Sequence, residues 1–155
     1  MPKLIVVGNC GVDILVPPHD PPPAGGCAQV DDLQMNIGGS AVNTAIVASR
    51  LGISTAIMGV LGDDFLGQQI RSALAADGVD TTRLRMLPDR TSPMTLIETD
   101  RKGEQRILQH PGTNSEFALD PMAMRVPCNL FHLAAPERLT GIWPHKAVDL
   151  VRKLK

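Results

Sequence analysis

Neither sign of charge is in excess in this sequence: 15 basic residues stand against 16 acidic ones in a chain of 155. That balance leaves no electrostatic footprint for nucleic acid or an anionic membrane surface, so a small neutral or anionic ligand is the easier partner. Long apolar runs are missing too. LIVVG near the start and AIMGVLG further on are far too short to span a bilayer, and no charged-then-apolar leader precedes them, so a cytoplasmic protein is expected. Cysteines are few, odd in number and scattered: Cys10, Cys27 and Cys128 form no Cys-x-x-Cys pair, which excludes a disulfide framework and argues against zinc. His19, His110, His132 and His145 lack metal-ligand spacing, and no metal site is expected. Internal repeats and low-complexity tracts are absent as well, which leaves one domain with one core.

What is present reads as α/β. KLIVVG, Lys3 to Gly8, is a β-branched run of the kind buried in parallel sheets, and Thr55 to Leu61 and Asn129 to Ala134 repeat the pattern. Asp63 or Asp64 is positioned to cap an amphipathic helix running to about Ala76, and a further helix is expected from Pro144 to Lys155. A second group of segments differs in character. Val16 to Gly26 is proline-dense and is expected to be an exposed connection rather than a helix or central strand. Ala28 to Ile37, Met94 to Thr99 and Gln105 to His110 are candidate strands, the last two joined by a loop in which Gly103 supplies a left-handed position.

The most informative stretch is NIGGSAVNTAIVASRLG, Asn36 to Gly52. Gly38 and Gly39 allow a ligand to approach the main chain, Ser40 is a suitable N-cap, and Val42, Ala45, Ile46 and Ser49 recur at helical spacing before Gly52 stops the helix. Unsatisfied N–H groups of the helix start would then face whatever lies beyond the glycines, with Asn43 one turn in. Alone, the pattern equally describes a tight turn opening a core-facing helix. It is not a phosphate-binding Walker loop, since no Gly-Lys-Ser/Thr follows, nor a dinucleotide fingerprint, whose third glycine and later acid are missing. Asp13 stands just past the carboxyl end of the first strand, the edge where open α/β sheets bind ligands, although position alone also fits a solvated turn carboxylate.

With Gly38, Gly39, Asn43 and Ala45 in a Gly-Gly-x-x-x-Asn-x-Ala arrangement, and Gly62, Asp64 and Gly67 in a Gly-x-Asp-x-x-Gly arrangement, the chain resembles the PfkB/ribokinase family of sugar and nucleoside kinases. The resemblance implies a ribokinase-like three-layer α/β body with a mainly parallel twisted sheet. A small β-sheet lid would be made from about residues 12–37 and 94–110. It further implies that Asp13 grips substrate hydroxyls and that Gly11, Gly38, Gly39, Ser40 and Asn43 line the acceptor site. Two family residues are replaced: Ser40 stands where furanose-binding members tend to carry lysine, and Gly11 where they carry asparagine. The position of the family's sugar-gripping glutamate falls near Ala134, with Glu137 three residues on and not obviously equivalent. Ribose specificity is therefore not expected.

Residues 1–155 correspond to the N-terminal part of such a domain. The family's catalytic base is an aspartate in a Gly-Ala-Gly-Asp segment, and no Gly-x-Gly-Asp occurs in this sequence. The base and the ATP-binding residues are expected beyond Lys155, so ATP and Mg2+, the family's cofactors, are not expected to bind this chain tightly. The chain alone should be inactive, and its partners are expected to be a small sugar or nucleoside, with a second copy pairing through the lid or an open sheet edge. The other reading is a noncatalytic ligand-binding or oligomerising module.

Overall fold

The computed structural model describes residues 1–118 and 127–153. Two four-stranded sheets organise them. The first is wholly parallel, in the order β5 (Leu84–Leu87), β4 (Thr55–Gly62), β1 (Leu4–Gly8), β8 (Leu130–Ala134). Helices α1 (Ser40–Arg50) and α2 (Phe65–Ala76) cover one face, and α3 (His145–Lys153) lies on the other with the segment around Phe117 and Leu139. The expected helix runs to Lys155, but Leu154 and Lys155 lie outside the described residues.

Alternation along β1 divides the core between these layers. Leu4 and Val6 pack with Val42, Ala45, Ile70 and Leu74, while Ile5 and Val7 pack with Phe117, Leu139, Ile142 and Ala147. Every residue of β1 and β4 is therefore buried, which is why these strands read as unbroken apolar runs rather than alternating ones. Each such side chain contributes about 1.5 to 3 kcal/mol of transfer free energy. β8 is different, because among the described residues it has a neighbour on one side only, and Leu130 is 60% exposed.

The second sheet has the order β3 (Gln34–Gly38), β2 (Gly11–His19), β6 (Met94–Asp100), β7 (Gln105–His110). It brings the two expected segments together, with β2 parallel to β6 and antiparallel to β3, and Gly103 at φ 85° in the β6–β7 turn. The proline-dense stretch is not wholly a connection, however. β2 continues through Pro17 and Pro18 to His19. It can do so because β3 pairs with it only as far as Leu15, and the ladder to β6 slips between Val16 and His19. The missing proline N–H groups thus fall where no ladder bond is required. β3 is correspondingly shorter than the expected strand, starting at Gln34 instead of Ala28.

The crossings between the sheets are tied by side chains to backbone. Asn114 donates to Cys10 O at 3.2 Å and accepts from Cys10 N at 3.4 Å, and Thr113 Oγ1 donates to Val60 O at 2.8 Å. Asp64 caps α2 by accepting from Gly67 N at 2.8 Å, and the same carboxylate accepts from Ser92 Oγ at 2.6 Å and Ser92 N at 2.7 Å. Burial pushes this carboxyl up, but the Ser92 hydroxyl and the Ser92 and Gly67 N–H groups together outweigh it and hold the group below its usual 3.8. A folded-state pKa below the unfolded one contributes stability that is full above the unfolded value and lost as pH falls through the folded value. Asp64→Ala should therefore cost about 1 to 2 kcal/mol near neutrality. The gap from wild type should narrow as the pH falls below the usual carboxyl value of 3.8. Thermal melts that show an equal gap above and below that value would refute the assignment.

Candidate functional site

The carboxyl ends of β1 and β3 meet the start of α1, and the contact there is backbone on backbone. Gly39 adopts φ 100°, and a Cβ on it would lie 2.5 Å from Asn9 O and 2.9 Å from Cys10 Cα. Gly39, not Ser40, is the N-cap, and no side chain of its own segment caps the helix. Serine cannot take that backbone angle without strain, so Ser40 becomes the first helical residue, and its own N–H donates to Asn9 Oδ1 at 3.1 Å. Ala41 N–H donates to Asn9 O at 3.2 Å. Two leading donors of α1 are thus already held by Asn9, and the expected row of open N–H groups is not what the helix offers. Asn9 is a residue the sequence does not reveal, because a cap borrowed from a strand end 31 positions away leaves no local spacing to read.

Beside this junction, Gly11 pairs with Gly38, and Asp13 with Asn36. A Cβ on Gly38 would sit 2.5 Å from Asp13 Oδ2, so the carboxylate lies across the bare backbone of that glycine. Asp13 is half-buried, and among the described residues it takes part in no ion pair. The register carries the row further. Thr95 lies opposite Asp13 on β6, and Gln109 lies opposite Thr95 on β7. Residues directly opposite share a face, so Asn36, Asp13, Thr95 and Gln109 form one polar row across all four strands. The next row, Gln34, Leu15, Ile97 and Ile107, is mostly apolar.

Asn43 is exposed one turn into α1, where its N–H donates to Gly39 O at 2.9 Å. It borders an open groove on the helix flank with Thr44, Val47 and Ile53. Its side chain makes no contact with Asp13 among the described hydrogen bonds. Cys10, between the sheets, is fully buried and pushed up to about 12 by that burial, which makes it an inert packing residue. Among the described residues no group of three or more His, Cys, Asp or Glu is placed to hold a metal ion. The row's chemistry is that of a hydroxyl-rich ligand: one carboxylate to accept, two amides and a hydroxyl that do both.

The fold has counterparts among known proteins. Over residues 1–153 the chain matches the pfkB family carbohydrate kinase domain, and it belongs to that family. It is 30% identical to a ribokinase of Haemophilus influenzae over 117 residues, 74% of this chain and 38% of that one. It is 28% identical to a nucleoside kinase of Methanothermobacter thermautotrophicus over 102 residues, 66% of this chain and 33% of that one. The solved Arabidopsis thaliana ribokinase complexed with ribose and ATP matches at a TM-score of 0.69 and 28% identity, over 73% of this chain and 37% of that chain. The fold is that of the ribokinase-type kinases, and the matched region spans little more than a third of the length of these relatives.

The two glycines should separate on substitution. Gly39→Ala places a methyl against fixed backbone at a strained angle and should destabilise by about 3 kcal/mol or more. Gly38→Ala meets only the mobile end of Asp13, so it should cost under about 1.5 kcal/mol while displacing the carboxylate. Denaturant melts of both variants check this, and equal losses would show that the junction at Asn9 is not tight.

Proposed function

We propose that this chain supplies the acceptor-binding part of an ATP-dependent kinase that transfers a phosphoryl group to a hydroxyl of a sugar, sugar acid or nucleoside. The observation that carries the reading is Asp13: a half-buried carboxylate without an ion-pair partner among the described residues, lying on the bare backbone of Gly38 at the carboxyl edge of the parallel sheet. Open α/β sheets bind their ligands at that edge. Substrate hydroxyls donate to Asp13, the paired Gly11 and Gly38 keep the strands beside it free of side chains, and Ser40 stands at the start of α1, while Asn43, one turn further on, borders the flank groove. Face-sharing polar residues of the second sheet close over the same place, which gives that sheet the role of a lid.

ATP, when bound, supplies the phosphoryl group, but the residues of this site do not fit its phosphates. Asp13 would repel them, and Asn9 already holds the leading N–H groups of α1. Binding and orientation of the acceptor are what these residues can do, and orientation of the attacking hydroxyl is a large part of phosphoryl-transfer catalysis. Since no Gly-x-Gly-Asp is present, the 155-residue chain should show no turnover, and sugar-dependent ATP consumption by it would overturn the reading. The oligomerising alternative draws support from one feature, the edge position of β8 among the described residues with Leu130 60% exposed, because such an edge recruits other chains.

Asp13→Ala removes a charge-assisted acceptor worth about 1.5 to 3 kcal/mol per bond. Acceptor affinity should fall roughly ten- to a hundred-fold, measured by calorimetry across a panel of sugars, sugar acids and nucleosides. Unchanged affinity for every ligand that binds would remove Asp13 from the site.

A further inference from the structure

At the far end of the polar row from Asn36, Gln109 Oε1 accepts from Arg138 Nη1 at 2.9 Å. Arg138 belongs to the body, four residues after β8 ends, so this bond joins the carboxyl edge of the parallel sheet to an edge strand of the second sheet. Its guanidinium takes part in no ion pair among the described residues. The turn that presents it is held in a specific shape. Ala135 adopts a left-handed conformation, φ 45° and ψ 58°, and Arg138 N–H donates to Ala135 O at 3.0 Å. A non-glycine residue there costs of order 1 to 3 kcal/mol and persists where the surroundings demand it.

Resting on the acceptor-binding reading above, we infer that Arg138, oriented by Gln109, selects an acceptor with an anionic terminal group, a sugar acid or sugar phosphate, over a neutral sugar. Gln109 stands two strands from Asp13, a separation of about 10 Å. That span matches an extended hexose-length chain whose hydroxyls reach Asp13 while its carboxylate or phosphate reaches Arg138. The two charges also divide the ligand's polarity: the carboxylate repels an anionic end from Asp13, and the guanidinium binds it with the planar, paired N–H groups suited to carboxylate and phosphate. Gln109 loses nothing when a ligand arrives, because its carbonyl keeps one guanidinium N–H while others turn to the anion.

The test is equilibrium binding to the 155-residue chain at low ionic strength, with gluconate against glucitol and ribose 5-phosphate against ribose, so that carboxylate and phosphate are read separately. At least one acidic probe should bind roughly ten-fold or more tightly than its neutral counterpart. Arg138→Gln, an exposed change that should leave the melting temperature in place, should abolish that preference without altering the neutral probe, and Gln109→Met should reduce it. Asp13→Ala should weaken both members of the pair alike. Equal affinity for acidic and neutral probes in the unaltered chain, or a preference that survives Arg138→Gln, would overturn the inference while leaving the acceptor site standing if Asp13→Ala still weakens binding. Indifference of every probe to Asp13→Ala, or no binding of any of the four, would overturn the site itself and the inference with it.

Discussion

The contact between Gly39 and the backbone of Asn9 and Cys10 is the constraint on which the rest of the arrangement depends. Only a residue without a Cβ can bring β3 and α1 this close to the end of β1, and that approach sets the distance between the two sheets. Once it is made, Asn9 can reach the start of α1 with both its side chain and its carbonyl. Asn114 can then clasp both polar groups of the Cys10 backbone from the returning chain. Asp64 and Ser92 do the same at the other crossing. None of these bonds is strong alone, each being worth about 1 kcal/mol net. Together they hold buried backbone that has no ladder partner, and an unpaired buried group would cost more than any of them contributes.

Much of this was legible in the residues, and the parts that were not share a cause. β1 and β4 announce themselves because burial on both faces writes an unbroken apolar run into the chain, α1 because its flanking glycines and apolar spacing are local, and α2 because its cap Asp64 is local. Asp13 and Gly38 were each identified from their neighbours in sequence, and the structure lays one across the other. Register is another matter. That Thr95 and Gln109 lie level with Asp13 follows from pairings between residues far apart in the chain, and a shift of one position would send each to the opposite face. Asn9 as the cap of α1, and Ser40 displaced from that role, likewise depend on a positive φ at Gly39 that spacing does not specify. The prolines of β2 misled for a related reason: their cost depends on whether a partner strand is present beside them, and β3 has already ended.

Polarity across the second sheet is graded, and the gradient has a physical logic. Nearest the parallel sheet lies the row with Asp13, and one step outward lies the row with Leu15, Ile97 and Ile107. A hydroxyl-bearing ligand seated at the junction can therefore exchange water for side-chain partners at its polar atoms while the apolar row limits solvent around them. Excluding water raises the strength of every charge-assisted bond that remains. The same exclusion makes the empty site unfavourable, because a half-buried carboxylate keeps only part of its hydration.

Two features follow the carboxyl ends of parallel strands: the carboxylate of Asp13, after β1, without an ion-pair partner among the described residues, and the left-handed Ala135, after β8. Elsewhere the described chain carries one further left-handed non-glycine residue, Asp89 at φ 55°. Its caps are satisfied, its crossings are stapled, and among buried side-chain polar atoms only Arg83 Nε lacks a partner. Selection for stability alone would neutralise Asp13 or relax Ala135, since single changes of that kind commonly gain about 0.5 to 2 kcal/mol. Both stand toward the carboxyl edge of a parallel sheet, where α/β folds place their ligands, which supports the acceptor-binding proposal. On that proposal, a hydroxyl-bearing ligand gives the Asp13 carboxylate the hydrogen-bond donors it lacks among the described side chains, and those bonds contribute to its affinity.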